Sequence, residues 1–203
     1  MVRVKICGIT NLKDAEAAAS LGADAIGFVF AKSPRRVSVK KAKAIAEALG
    51  GRVLLVGVFV NESAKKILRI AGECGLSAVQ LHGGESPGFV RKLSGRRVIK
   101  TFHVGERFDR GRILKYRTDA ILLDAKSGRS YGGTGKPFDW GVLGPKKFKT
   151  PLIISGGLTP GNVGKAVKVF SPYGVDVSSG VEASPGRKDL RKMKEFIRNA
   201  KKV

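Results

Sequence analysis

Short apolar runs alternate with amphipathic segments along the whole chain. The eight runs that predict β-strands are Val2–Cys7, Ala25–Phe30, Val53–Val60, Ala78–Leu81, Val98–Phe102, Ala120–Leu123, Leu152–Ile154 and Val175–Val177. Their starting positions are on average about 25 residues apart, which leaves room in each repeat for a strand, a turn and a crossover helix. The spacing therefore predicts parallel strands joined by helices.

The segments between the strands have the period of helices. Two of them place apolar residues at i, i+3, i+4 and i+7: Ala64, Ile67, Leu68 and Ala71, and Val163, Ala166, Val167 and Phe170. Ser86-Pro87 and Thr159-Pro160 each predict an N-cap followed by proline at the first helical position. Gly22 and Gly75 lie where helices should end before the next strand.

The alternation continues without a linker or a change of composition, so residues 1–203 are predicted to form a single domain. An open doubly wound sheet is the alternative arrangement of eight such units. The first strand, however, is followed by Cys7-Gly8-Ile9-Thr10 and not by a Gly-x-Gly-x-x-Gly fingerprint. A closed (βα)8 TIM barrel would also bring the polar residues that follow strands 1, 2, 6, 7 and 8 to one mouth. We therefore expect the barrel.

The strongly basic composition is the unusual property of this chain, which has a formal net charge of +23. Such a charge is compatible with nucleic-acid binding, an anionic substrate or attraction to acidic membranes. No helix-turn-helix, zinc-finger or RNA-binding signature accompanies it. Many of the basic residues fall in helix-like segments: Lys40, Lys41, Lys43, Lys65, Lys66, Arg191, Lys192 and Lys194. We interpret the charge as a solvated basic exterior, with no dedicated nucleic-acid partner.

The cysteines and the apolar segments indicate a cytoplasmic protein. The N-terminal residues lead directly into a strand and do not resemble a signal peptide. No apolar stretch approaches the roughly 20 residues of a membrane span. Cys7 and Cys74 have neither the number nor the spacing of a disulfide framework or a zinc site. We expect reduced thiols, no metal, no cofactor and no membrane partner.

Glycine-rich and serine-rich turns follow the last two predicted strands and indicate a phosphate site. Ser155-Gly156-Gly157-Leu158 ends strand 7, and Asp176-Val177-Ser178-Ser179-Gly180 ends strand 8. Backbone N–H groups at glycines approach an anion closely, and phosphate-binding barrels use the loops after strands 7 and 8.

Two candidate proton-transfer groups also follow predicted strands. Asp124 ends the sixth strand, where it either caps a loop or acts as a catalytic acid. Cys7 ends the first strand; most strand cysteines are inert, but a partly ionised thiol at the barrel mouth can act as a base.

Arginine and two polar residues complete the set of candidates. Arg35 and Arg36 follow the second strand, and either guanidinium could hold a carboxylate bidentately. Gln80 and His82, near the end of the fourth strand, are weaker candidates for substrate binding. The segment 131–137 looks like a nucleotide loop but lacks the first glycine and the Ser/Thr of a P-loop, so we interpret it as a βα loop that closes over substrate.

Taken in order, these motifs resemble the phosphoribosylanthranilate isomerase family along essentially the whole chain. The matching segments are Lys5–Thr10, Gly27–Phe30, Ser33–Arg35, Val56–Asn61, Gln80–Gly83, Leu122–Asp124, Gly132–Lys136 with Phe138–Trp140, Ser155–Leu158 and Asp176–Glu182. Each is a modest signal alone, but all of them in this order are highly specific.

The resemblance implies an Amadori rearrangement by acid–base catalysis. It implies that Asp124 protonates the furanose ring oxygen and that Cys7 removes the proton from C2 of the sugar. Arg35 would hold the anthranilate carboxylate, and the loops around Gly156, Gly157 and residues 178–180 would hold the phosphate. A small molecule with a carboxylate and a phosphate is thus the expected partner.

Two rival functions and the oligomeric state stay open at this point. The sugar isomerase of histidine biosynthesis pairs two aspartates for the same chemistry, whereas strand 1 here ends in Cys7. A nucleic-acid-binding barrel would leave the catalytic-looking residues without a role. Phe108 and Tyr173 are apolar residues in loops, and we expect a monomer or a homodimer.

Overall fold

The protein folds as a closed barrel of eight parallel strands. A computed structural model describes residues 1–105, 109, 111–125 and 148–203. The strands are β1 (Arg3–Cys7), β2 (Ala25–Val29), β3 (Leu54–Phe59), β4 (Ala78–Leu81), β5 (Val98–Val104), β6 (Ala120–Ala125), β7 (Leu152–Ser155) and β8 (Gly174–Val177). Each strand pairs with the next, and β8 pairs with β1. All eight predicted strands and the predicted barrel are confirmed, with strand ends within two residues of those expected.

Helices surround the barrel, and all but the last of those described are crossover connections between strands. They are α1 (Leu12–Ser20), α2 (Val39–Leu49), α3 (Ala64–Glu73), α4 (Pro87–Arg91), α5 (Gly111–Leu114), α6 (Val163–Phe170) and α7 (Leu190–Lys201). After β8 come a 3₁₀ turn (Ser179–Val181) and a small antiparallel pair, β9 (Glu182–Ser184) and β10 (Arg187–Lys188). In the described part of the chain, no helix is long and apolar enough to cross a membrane.

The predicted helix signals are confirmed with one exception. Ser86 is the N-cap of α4, with Pro87 in the first turn, and Gly22 and Gly75 follow α1 and α3 with positive φ. Thr159 is not the N-cap of α6, which begins at Val163 after Asn162. The Asn162 side chain accepts from the Thr159 N–H at 2.8 Å and donates to the Gly157 carbonyl at 2.9 Å. These bonds hold the intervening residues in a turn. The helix therefore begins at Val163 and not at Pro160, so the predicted start of this helix was wrong.

Alternation along the strands separates a helix-facing core from the barrel interior. On β6, Ile121 and Leu123 pack in the larger core, while Ala120 and Leu122 belong to a separate buried cluster with residues of β3, β5 and β7. Successive side chains on a strand point to opposite faces, so Asp124 continues the interior face of Leu122. The same period places Lys5 and Cys7 on the face opposite Val4 and Ile6. Lys5, Cys7 and Asp124 thus extend into the barrel interior, with Cys7 and Asp124 at its C-terminal end.

Candidate active site

A cavity at the C-terminal mouth collects the predicted proton-transfer and substrate-binding residues, with Arg35 and not its alternative Arg36. Its lining includes Cys7, Arg35, Gln80, His82, Asp124, Gly156, Gly157, Asp176, Ser178, Ser179 and Gly180. These residues come from six of the eight strand ends, because parallel strands in a closed barrel all end on the same side. The structure therefore brings together the full predicted set, which the sequence distributes over positions 7 to 180.

Cys7 lies beside a buried ion pair. The Lys5 ammonium donates to Asp176 Oδ1 at 2.8 Å, and the Ser155 hydroxyl donates to Asp176 Oδ2 at 3.3 Å. A β-carbon added to Gly27 would lie 2.8 Å from Cys7 Sγ and 3.1 Å from Lys5 Nζ, so both groups approach the same point on β2. The absence of a side chain at Gly27 is what admits the thiol and the ammonium together.

The ion pair acts on the charge state of the thiol. Burial raises the pKa of Cys7, the Asp176 carboxylate raises it further, and the Lys5 ammonium opposes both. Burial alone would lower the pKa of Lys5, but the charges of Asp176 and Cys7 outweigh it and the pKa of Lys5 is raised. Lys5 is therefore a cation that offsets these effects only in part, and the pKa of Cys7 remains raised above its usual value.

Asp124 occupies the opposite part of the cavity and is surrounded by polar side chains. His82 Nε2 lies 3.3 Å and His103 Nδ1 lies 3.7 Å from the same carboxylate oxygen, Oδ2. The Gln80 amide nitrogen lies 3.1 Å from His82 Nδ1 and donates to Thr101 Oγ1 at 3.3 Å. Burial, with the neighbouring His82, lowers the pKa of His103 and favours its neutral form. Both imidazoles therefore approach the same carboxylate oxygen, Oδ2.

The turns after β7 and β8 both line the cavity and are rich in glycine and serine. Gly156 and Gly157 have φ values of 85° and 65°, which only glycine adopts without strain. A side chain at Gly180 would collide with the Leu158 carbonyl, so the two turns pack against each other only because residue 180 is glycine. The Ser178 hydroxyl is buried and has no hydrogen-bond partner among the described residues. Such a hydroxyl is available to an anionic ligand.

The structure distinguishes the two candidate arginines. Arg35 lines the cavity, whereas Arg36 is exposed and its backbone bridges to Val29. The Arg35 guanidinium forms a fork with Glu182, from Nε to Oε1 at 2.8 Å and from Nη2 to Oε2 at 2.7 Å. Glu182 also accepts from Lys188 at 2.9 Å. Glu182 thereby holds Arg35 through Nε and Nη2, and the Nη1 group takes no part in that fork.

Four residues that the sequence does not identify as functional contact the site residues: Lys5, His103, Glu182 and Lys188. A signal existed for Lys5, since a lysine inside an apolar strand needs a buried counter-ion. His103 extends the interior face of β5 beyond the predicted end of that strand at Phe102, which is why it was missed. Glu182 and Lys188 follow β8 and act on Arg35, which is 147 residues from Glu182 in sequence.

Several predicted features lie outside the described residues. These are Phe108, the segment 131–137 with its expected closure over substrate, and residues 138–140. Tyr173 is within the described part and is 56% exposed. The eight basic residues predicted to face solvent from the helices are all exposed.

The fold and the site together define a phosphate-binding (βα)8-barrel enzyme. Comparison with known proteins specifies the family. The family model described as N-(5'phosphoribosyl)anthranilate (PRA) isomerase matches residues 4–199. The chain belongs to this family and is an isomerase.

Individual relatives are similar over their full lengths. An N-(5'-phosphoribosyl)anthranilate isomerase of Thermotoga neapolitana is 52% identical, over 99% of both chains. The crystal structure of phosphoribosyl anthranilate isomerase from Thermotoga maritima has a TM-score of 0.94 at 50% identity and covers all of both chains. A crystal structure of a phosphoribosyl anthranilate isomerase in complex with reduced 1-(o-carboxyphenylamino)-1-deoxyribulose 5-phosphate has a TM-score of 0.89 at 48% identity, again over both complete chains.

Proposed function

We propose that the protein converts N-(5-phosphoribosyl)anthranilate into 1-(2-carboxyphenylamino)-1-deoxyribulose 5-phosphate, with Asp124 as general acid and Cys7 as general base. The reaction is a step of tryptophan biosynthesis. The observation that carries the assignment is that one cavity holds both proton-transfer groups, on β1 and β6, between the glycine turns after β7 and β8 and the arginine after β2. An acid, a base and two anion anchors are what an Amadori rearrangement of this substrate requires.

The first step opens the furanose ring. Asp124 transfers a proton to the ring oxygen while the bond between that oxygen and C1 breaks, and the anthranilate nitrogen lone pair forms the C1=N bond of a Schiff base. His82 and His103 both approach Oδ2 of Asp124. We therefore propose Oδ1, the oxygen that the two imidazoles do not approach, as the atom that transfers the proton to the substrate.

The second step moves the double bond along the sugar. The Cys7 thiolate removes the proton from C2, and the electrons of that C–H bond form the C1=C2 double bond of an enolamine while the nitrogen becomes an amine. Tautomerisation then transfers a proton to C1 and removes one from the C2 hydroxyl, which gives the ketone. Only protons move, so the balance of the reaction needs no redox partner. The Lys5 ammonium stabilises the thiolate that this step requires.

Two anchors fix the substrate between these groups. The turns at Gly156, Gly157 and residues 178–180 bind the phosphate through backbone N–H groups and the Ser178 hydroxyl. Asp176 lines the same pocket, and its charge is compensated by Lys5, so it does not repel the phosphate as an isolated carboxylate would. Arg35 binds the anthranilate carboxylate with the Nη1 group that Glu182 leaves available.

We also propose a cytoplasmic location and an oligomeric state for the enzyme. Cys7 and Cys74 are both free thiols, as the reducing cytoplasm maintains them, and the mechanism depends on a thiol at Cys7. A relative from Thermotoga maritima is described as dimeric, and for this chain we propose a monomer or a homodimer.

Turnover of freshly generated phosphoribosylanthranilate, followed by its fluorescence, tests the function. We expect the wild-type enzyme to be active, and Cys7→Ala and Asp124→Asn each to lose about 10²- to 10⁴-fold in kcat, the range for general acid–base groups. The matched controls are Cys74→Ala, which removes the other buried cysteine, and Asp119→Asn, which changes an aspartate that precedes the opposite end of β6.

Both controls should retain activity within a few fold. A wild-type enzyme without turnover, or Cys7→Ala and Asp124→Asn variants that are folded and fully active, would refute the proposal.

A further inference from the structure

The two histidines of this chain both lie next to the Asp124 carboxylate. The full sequence contains two histidines, and both approach Asp124 Oδ2. The potential ligand atoms of His82, His103 and Asp124 all lie within 4.8 Å of one another. Two imidazoles and one carboxylate are a donor set that binds divalent transition metals.

The distances within this trio suit a small ion. Ligand atoms 2.0–2.1 Å from a tetrahedral zinc lie about 3.3 Å from each other. The separation of His82 Nε2 from Asp124 Oδ2 is 3.3 Å, and that of His103 Nδ1 from the same oxygen is 3.7 Å. The two histidine nitrogens lie within 4.8 Å of each other, so a closer approach of the two rings completes one face of a coordination shell.

Hydrogen bonds outside the trio orient the two rings. His103 Nε2 lies 3.4 Å from the His82 carbonyl; donation of its proton there leaves the Nδ1 lone pair directed at the trio. The Gln80 amide contacts His82 Nδ1, and its buried Oε1 has no partner among the described residues. Rotation of that amide presents Oε1 to an Nδ1 proton and leaves His82 Nε2 for a metal. The rotation also leaves the amide nitrogen of Gln80 unpaired, which limits the affinity of the site for a metal ion.

We propose that His82, His103 and Asp124 form a binding site for a divalent transition metal of the Zn²⁺ class, and that an ion bound there inhibits the isomerase. Hard cations such as Mg²⁺ and Ca²⁺ prefer oxygen ligands and do not suit a site with two imidazoles. Inhibition follows because an ion on the Asp124 carboxylate prevents it from carrying a proton. The binding half of the proposal stands on geometry alone, whereas the inhibition half rests on the proposed role of Asp124.

Titration of the untagged protein with Co²⁺, followed by displacement with Zn²⁺, tests the binding half. We expect visible d–d absorption that saturates at one ion per chain, and His103→Asn should weaken Co²⁺ binding at least about tenfold, the lower end for a perturbed metal ligand environment. Gln80→Glu supplies a carboxylate to the His82 ring and should tighten binding about tenfold. The matched control Glu47→Gln, an exposed carboxylate on α2, should leave the titration unchanged.

Cys7→Ser separates this site from the catalytic thiol. The variant should bind Co²⁺ as the wild type does, without a sulfur-to-cobalt charge-transfer band in either protein. Loss of binding in Cys7→Ser, binding unaffected by His103→Asn, or no binding at all would each overturn the site.

Turnover in the presence of Zn²⁺ alone tests the inhibition half. The wild-type enzyme should lose activity over the same Zn²⁺ range that displaces Co²⁺, and His103→Asn should require at least about ten times more Zn²⁺ for the same fractional loss. If Zn²⁺ binds at the trio and full turnover persists, the inhibition is refuted together with the role of Asp124 as acid. An inactive wild-type enzyme that still binds Co²⁺ through His103 would refute the proposed function and leave the metal site standing.

Discussion

At the scale of single residues, the site depends on charges placed inside the barrel by strand alternation. Lys5 and Cys7 are two positions apart on β1, so both extend into the interior, where Asp176 meets Lys5 from β8. A buried thiol is a poor base because desolvation favours its protonated form. The adjacent Lys5 ammonium offsets that penalty in part, since the pKa of Cys7 is still raised. We therefore regard Lys5 as a positioning residue that acts through Cys7.

Replacement of Lys5 by methionine should shift the pH dependence of catalysis. The variant lacks the cation that opposes burial, so the pKa of Cys7 rises further and a smaller fraction is thiolate at neutral pH. We expect kcat/KM to fall at pH 7 and its profile to move to higher pH, because activity rises as Cys7 ionises. The measurement is the pH profile of kcat/KM for wild type, Lys5→Met and the control Lys100→Met, which removes a buried lysine paired with Glu85. A uniform loss for Lys5→Met at every pH would show a purely structural role.

At the scale of secondary-structure elements, Asp24 connects the start of the barrel to its last helix. It lies in the connection between α1 and β2 and accepts from the Val4 N–H at 2.9 Å, from Arg3 at 2.8 Å and from Lys201 of α7 at 2.8 Å. Although burial opposes ionisation, the hydrogen bonds from Lys201, Arg3 and Val4 lower the pKa of Asp24. The carboxylate is therefore stabilised in the folded state.

Asp24→Ala should destabilise the folded protein by about 2 kcal/mol, since hydrogen bonds to charged groups contribute about 1.5–3 kcal/mol each and these are partly exposed. The folded-state pKa is below the unfolded one, so this contribution is fully present above the unfolded value and is lost as pH falls through the folded value. Urea unfolding at neutral and at acidic pH measures both effects. An equal difference between wild type and Asp24→Ala at all pH values would contradict this assignment.

The elements also show why the sequence predicts the strands well and the contacts less well. Each strand carries its own apolar run, so its position is encoded locally, as Ala78–Leu81 illustrates. Thr159-Pro160 has the local pattern of a helix start, yet the Asn162 side chain stabilises a turn there instead. Pairs such as Lys5 with Asp176, 171 residues apart, exist only after the barrel closes. The position of a residue at a strand end therefore predicts that it lies at the barrel mouth. The ion-pair partner of each charged residue, by contrast, is known only from the structure.

At the scale of the whole molecule, a net charge of +23 surrounds a cavity built for a substrate with two anionic groups. Exposed lysines and arginines on the outer helices generate a positive potential that extends over a Debye length, about 30 Å at 0.01 M and about 8 Å at 0.15 M salt. That potential raises the rate at which an anionic substrate arrives and does not change the chemistry inside the cavity.

Because the positive potential acts on substrate capture, we expect salt to change kcat/KM and to leave the catalytic steps unaffected. Between 0.01 M and 0.15 M monovalent salt, kcat/KM should decrease several-fold while kcat changes little. Steady-state kinetics at constant pH and viscosity checks this. The opposite pattern, a constant kcat/KM with a salt-dependent kcat, would mean that the charge acts on the catalytic steps themselves.

In the proposed mechanism, Asp124 opens the ring and Cys7 then removes the C2 proton. The kinetic isotope effect on kcat/KM for substrate deuterated at C2 distinguishes these two steps, when it is measured in wild type, Asp124→Asn and Cys7→Ser after subtraction of the enzyme-free rate. Impairing the acid makes ring opening rate-limiting, so we expect an isotope effect close to unity in Asp124→Asn. Impairing the base makes proton removal rate-limiting, so Cys7→Ser should show a full primary effect. The reverse pattern would exchange the two roles, and equal effects in both variants would contradict the two-step assignment altogether.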